Sequence, residues 1–155
     1  MASKFAVNHR RSSQFKRRGL RAYFEYRDLG IDKATGGKVV AHVIRARPGK
    51  APHGEWHRHD CRVQFVYVLK GTAVFEYEGV GMVKMKPGSC FYQPPGIRHR
   101  EISHSNDLEL IEIVAPANFK TKSVMAPRPP IDSFGNKFRR AVPAARKSPA
   151  RRLPG

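Results

Sequence analysis

The side chains best suited to do chemistry in this sequence are histidines. His57 and His59 flank Arg58. In a strand, residues i and i+2 share a face, so both imidazoles would converge on one side of a sheet. That spacing suits two ligands of one metal ion, although an isolated pair of this kind is also ordinary surface polarity. A second group lies downstream. The run Pro94-Pro95-Gly96 makes a sharp turn, and His99 opens the segment that follows it. A third imidazole from a distant strand would complete a three-nitrogen site inside a barrel. Imidazoles bind metal only when neutral, so affinity is expected to fall below about pH 6.

The elements that must position these residues read as strands. Alternating or β-rich runs cover residues 23–28, 38–46, 63–69, 72–77, 82–86, 89–93, 99–103 and 108–114. Turn signals separate them, among them Gly36-Gly37, Pro48-Gly49, Pro87-Gly88 and Ser105-Asn106-Asp107. No long stretch carries a 3.6-residue period, and no internal repeat is present. Short strands at regular intervals predict an all-β sandwich or a closed antiparallel barrel.

Composition agrees with one small globular domain. The chain has 155 residues, 40% of them apolar and 27% charged, which excludes collagen-like and coiled-coil classes. No apolar run approaches the ~20 residues of a membrane span, and no secretory leader is read at the start. Two cysteines, Cys61 and Cys90, are too few for a disulfide framework. They predict a reducing compartment, the cytoplasm.

The net charge of +18 is unevenly spread. Residues 1–22 hold seven Lys/Arg and no acid, and residues 121–155 hold nine against Asp132 alone. Residues 23–120 balance 14 basic against 11 acidic side chains. The expected organisation is a basic N-terminal arm (1–22), mobile or loosely docked, a barrel (23–120), and a basic Pro/Ala/Arg-rich tail (121–155). The acid-free start also fits an organellar transit peptide. Basic arms can bind nucleic acid non-specifically, but neither carries the interleaved aromatics of a single-strand binder. Solvated extensions are the preferred reading.

The two histidine segments together resemble the cupin family. In its first motif an HXH pair precedes a glutamate and a glycine. Here His57 and His59 match, four residues lead to Gln64 in the glutamate position, and six more lead to Gly71. The leading glycine of that motif has no counterpart at the right distance. In the second motif Gly88, Pro94, Gly96 and His99 stand at the family spacing, with Ser103 replacing the usual asparagine. The resemblance spans roughly residues 38–116.

It implies an antiparallel cupin jelly-roll or β-barrel with one divalent first-row metal ion (iron, manganese, nickel or zinc) in its mouth. The ligands carried over are His57, His59 and His99, with Gln64 as a possible fourth. Gln64 lies at an odd offset from His59, so a bulge or turn at residues 60–62 must bring it to the same face. Beyond it, Gln64, Val66 and Val68 would face inward. Glutamine for glutamate leaves a bound divalent ion its full charge, which favours an anionic ligand.

The resulting expectation is a metal-dependent enzyme acting on a small, anionic molecule, by dioxygenase-like or redox-neutral lyase or isomerase chemistry. The alternative is a non-catalytic, metal-dependent small-molecule binding or sensor protein. A homodimer is implied by the family and would shield open strand edges. Among the remaining residues, His42 reads as a satisfied structural histidine in preference to one facing the barrel interior, Cys61 as a free buried thiol and Cys90 as core. Trp56, Phe75, Tyr77, Phe91 and Tyr92 read as barrel core or pocket wall. Arg98 and Arg100 are expected to point outward, and His9, His53 and His104 to lie in loops or on the surface.

Overall fold

The period-two alternation becomes ten strands among the residues described by the computed structural model, which are 3–17, 19 and 21–128. They are β1 (Phe24–Asp28), β2 (Val40–Ala46), β3 (His57–Asp60), β4 (Val63–Lys70), β5 (Ala73–Tyr77), β6 (Gly81–Met85), β7 (Cys90–Tyr92), β8 (His99–His104), β9 (Glu109–Ala115) and β10 (Lys120–Ser123). A one-turn α-helix, α1 (Ile31–Thr35), sits between Gly30 and Gly36, both in the left-handed region. Five residues are too few to show a helical period, which is why the sequence does not announce it.

Two five-stranded antiparallel sheets form, ordered β1-β2-β9-β4-β7 and β10-β3-β8-β5-β6. This is the antiparallel jelly-roll expected from the sequence. Their inner faces meet in one core, where Val66, Val68 and Leu110 of the first sheet pack with Ala73, Tyr77 and Met85 of the second. Leu108, Val68 and Val114 are almost wholly buried; truncating a side chain so placed costs about 2–5 kcal/mol. Along β4 the alternation is that expected: Gln64, Val66 and Val68 are buried, and Val63, Tyr67 and Leu69 are exposed.

Gly71 joins β4 to β5 with φ +72. A Cβ there would lie 2.6 Å from Leu108 Cα and 2.5 Å from Ser105 Oγ. The hairpin therefore closes against the β8–β9 turn only if this residue is glycine.

The N-terminal arm touches the barrel at several points. The Lys4 amide donates to Ala34 O (2.9 Å), Lys16 pairs with Tyr26 across β1, and the Arg45 guanidinium lies 4.0 Å over the Phe15 ring. At the other end, β10 runs across the boundary expected at residue 120 and pairs with β3. Most of the C-terminal tail, residues 129–155, lies outside the described residues. Among the described residues no helix is long and apolar enough to cross a membrane.

Candidate metal centre and its cavity

Strand alternation does most of the work of assembling the site. His57 and His59 are the two buried residues of β3, with Arg58 and Asp60 exposed between and after them. His99 begins β8 and is the register partner of His57. Across the ladder Tyr77 opposes His99, and the two rings stack at 5.6 Å. The three imidazoles lie 4.2–5.1 Å apart, centroid to centroid. One nitrogen from each falls within 4.8 Å of the others.

Each ring is held by its Nδ1. His57 Nδ1 lies 2.9 Å from Glu55 O, and His99 Nδ1 lies 3.0 Å from Ile97 O. A carbonyl only accepts, so these two nitrogens carry the proton and Nε2 keeps its lone pair. His59 Nδ1 is 2.8 Å from the Thr121 hydroxyl of β10. Burial lowers the pKa of all three rings, to about 3 for His57 and His59, with the neighbouring imidazoles as the next cause for those two. Three neutral, tethered imidazoles, those of His57 and His99 with a free Nε2, are the donor set a first-row divalent ion takes. The same burial moves the proton's competition for His57 and His59 well below the pH 6 expected from the sequence.

Gln64 reaches the same cavity. Arg62 and Val63 are both exposed, and this break in the alternation resets the face between β3 and β4, where a bulge or turn was expected. The Gln64 side chain is buried and its Nε2 donates to Glu112 Oε1 at 2.9 Å. Its amide oxygen is thus the atom left to face a ligand or an ion.

Glu112 lies on β9 with Leu110 and Val114 on the inner face. It is half-buried in the cavity wall, and burial raises its pKa; the Gln64 hydrogen bond pulls the other way and is the smaller effect.

The cavity around these groups is narrow, with a volume of about 70 Å³. Phe24, Ile44, Val66, Phe75, Phe91 and Leu110 give it apolar walls. Arg21, Tyr23, Gln93 and Glu101 complete it. Glu101 is buried and takes His104 Nδ1 at 2.9 Å.

Several residues sit elsewhere than expected. The His104 side chain is only 2% exposed, locked between Glu101 and Lys50 O, and is not a surface group. Cys90 is exposed on the short edge strand β7 and is not core. Tyr92 is 56% exposed on the outer face of its sheet and lines no pocket wall. Trp56 is half-buried beneath Arg100 and belongs to neither the core nor the cavity wall. The others match the expectation. Phe75 and Phe91 line the cavity. Cys61 is a buried thiol whose pKa burial raises. Half-buried His42 packs edge-on against Tyr26 at 6.0 Å, away from the three-histidine cluster. Arg98 and Arg100 point outward to Glu78 and Glu76, and Arg100 lies over Trp56. His9 and His53 are exposed.

Thr121, Glu112, Glu101, Gln93 and Arg21 were not singled out by the sequence. Glu112 left a signal: Leu108, Leu110 and Val114 define an apolar face on which it is the one acid. Thr121 and Arg21 lie in basic runs that read as arms, and left none.

Residues 43–114 match the family model for the cupin domain. The chain contains a cupin domain. Solved structures share the cupin fold with it at low identity. KdgF from Halomonas sp. is 19% identical with a TM-score of 0.57, covering 72% of this chain and 94% of that one. The polyketide cyclase RemF from Streptomyces resistomycificus is 18% identical with a TM-score of 0.63, covering 80% and 88%. Streptomyces PAC13 with uridine is 15% identical with a TM-score of 0.56, covering 81% and 92%. No curated protein has a sequence that matches this one. In the cupin barrel of this chain, the three histidines lie on the inner face of the β10-β3-β8-β5-β6 sheet, and Gln64 and Glu112 face them from the other.

Proposed function

We propose that this cupin is a metal-dependent enzyme that catalyses redox-neutral proton transfer, of the lyase, isomerase or cyclase kind, on a small molecule held in the barrel. His57, His59 and His99 hold one divalent first-row ion, with Gln64 Oε1 as the fourth protein ligand. Such an ion polarises a substrate oxygen and stabilises negative charge that develops on it.

The observation that carries the reading is Glu112. A carboxyl group whose pKa burial raises, in the cavity that holds the three imidazoles, is suited to give and take a proton. Gln64 orients it through the 2.9 Å hydrogen bond. Apolar walls keep bulk water away from both. A sensor has no use for such a group, whereas an acid–base enzyme does. The cyclase RemF shares the fold, which supports the class of chemistry by analogy alone.

The deciding experiment is Glu112→Gln. The amide keeps the shape and loses the exchangeable proton. Against a panel of enolisable carbonyl compounds and hydroxy acids, this variant retains metal stoichiometry and loses proton exchange at carbon by about 100-fold or more. Full exchange activity in the variant contradicts the proposal, as does oxygen consumption by the wild type in step with turnover.

A second copy of the chain is the partner that fits the outer face. Val63, Tyr67, Leu69 and Tyr92 are exposed there on β4 and β7, and β7 is a three-residue edge strand with open hydrogen-bonding groups. A twofold pairing of that edge with itself covers both. Two free cysteines fit the reducing cytoplasm as the location.

A further inference from the structure

The polar groups of the cavity do not balance. Each of its carboxyl groups already has a donor: Glu112 receives the Gln64 amide, and Glu101 receives His104 and the Tyr23 hydroxyl. Two of its donors have no acceptor. Among the described residues, Arg21 Nη2 and Gln93 Nε2 are buried with no hydrogen-bond partner. Both residues line the cavity that holds the three histidines, and Gln93 is only 4% exposed. A buried guanidinium nitrogen left unpaired costs free energy unless a ligand completes it.

The geometry points to Arg21 and Gln93 as a binding subsite for a carboxylate, so that the substrate class is a small carboxylic acid with an apolar body. A guanidinium and an amide nitrogen offer the donors that two carboxylate oxygens accept, and charge-assisted bonds of this kind are the strong ones. The walls of Phe24, Ile44, Phe75 and Phe91 take the apolar remainder. Arg21 comes from the N-terminal arm, so the arm, which read from sequence as a loosely docked extension, closes the substrate site. The inference deepens the proposed function and rests on this cavity being the substrate site.

Benzoate and its neutral isostere benzamide provide the test, titrated calorimetrically into full-length protein both metal-loaded and treated with chelator. In the chelator-treated wild type, benzoate is expected to bind at least about tenfold more tightly than benzamide. Arg21→Gln removes that preference and Arg21→Lys keeps part of it. Gln93→Leu weakens benzoate several-fold, and all three variants keep the wild-type metal stoichiometry. Equal binding of benzoate and benzamide to the wild type overturns the subsite, as does unchanged preference in Arg21→Gln. A wild type that prefers benzoate yet holds no metal supports the subsite and refutes the metal centre. Stoichiometric metal without benzoate preference does the reverse.

Discussion

Gln64 and Glu112 face each other across the β4–β9 pairing, with the amide nitrogen donating to the carboxyl oxygen at 2.9 Å. The substitution of glutamine for the family's glutamate is thereby explained in physical terms. A glutamate at position 64 would bring two carboxyl groups together, and only one of them could ionise. The amide instead donates to Glu112 and leaves its own oxygen facing the cavity.

Gln64→Glu accordingly changes two affinities in opposite directions. Metal binding tightens, because a carboxylate binds a divalent ion better than an amide does. Binding of azide or oxalate weakens, because the net positive charge of the site falls by one. At an effective dielectric near 20, one charge at close range is worth on the order of a few kcal/mol, and a proton shared with Glu112 absorbs part of it. Metal titration and azide titration of the variant check the pair of signs. If neither affinity moves, Gln64 does not sense the ion.

Thr121 fixes the ring of His59 through Nδ1. Thr121→Val keeps the shape and removes the hydroxyl. Metal affinity should fall by about tenfold, the lower end of what such supporting groups contribute. The fold should persist, because Thr121 lies in the terminal strand of its sheet. Competition against a chelator of known affinity measures the change.

Acid should destabilise the metal-free protein earlier than it protonates the site. His57 and His59 have folded pKa values of about 3, against about 6.5 for an unfolded histidine. The unfolded chain therefore binds protons first. The stability associated with neutral histidines is full above pH 6.5 and falls as pH drops below it. At pH 5.5 each ring costs about 1 kcal/mol by linkage. Urea titrations at pH 7.5 and 5.5 should differ by about 2–3 kcal/mol when the metal is absent, and more when it is present. Stability that does not change over this interval contradicts the burial of neutral rings.

Much of this arrangement could be read in the sequence, and the reason is strand periodicity. His57 and His59 had to share a face, and the Pro94–Gly96 turn had to aim His99 at them. The inward set Gln64, Val66 and Val68 followed from the same rule. Long-range pairing was what the sequence did not reveal. Thr121 reaches His59 only because β10 returns to the edge of β3, more than sixty residues away. Arg21 looked like one more basic residue of an arm, because nothing local marks a guanidinium that the tertiary fold buries. His104 appeared to lie at the surface because its partners, Glu101 and Lys50 O, meet only when β8 is packed. Helix α1 fell below the length at which a period can be seen.

Self-association should depend on the outer face of β4 and β7. Leu69→Lys with Tyr92→Asp places charge on an apolar edge and should convert a dimer to a monomer at micromolar concentration. Light scattering coupled to size-exclusion chromatography reads the mass directly. A wild-type monomer at every concentration removes the dimer from the account.

Metal content tests the central claim most directly. Wild-type protein, purified without chelator and dialysed against a limiting mixture of divalent iron, manganese, nickel and zinc, should retain close to one ion per chain. His99→Ala removes one of three imidazoles within 4.8 Å of each other, and should hold well under a tenth of that amount while keeping the β-rich circular dichroism of the wild type. Equal, near-stoichiometric metal in both proteins, or none in the wild type, would contradict a metal centre built on His57, His59 and His99.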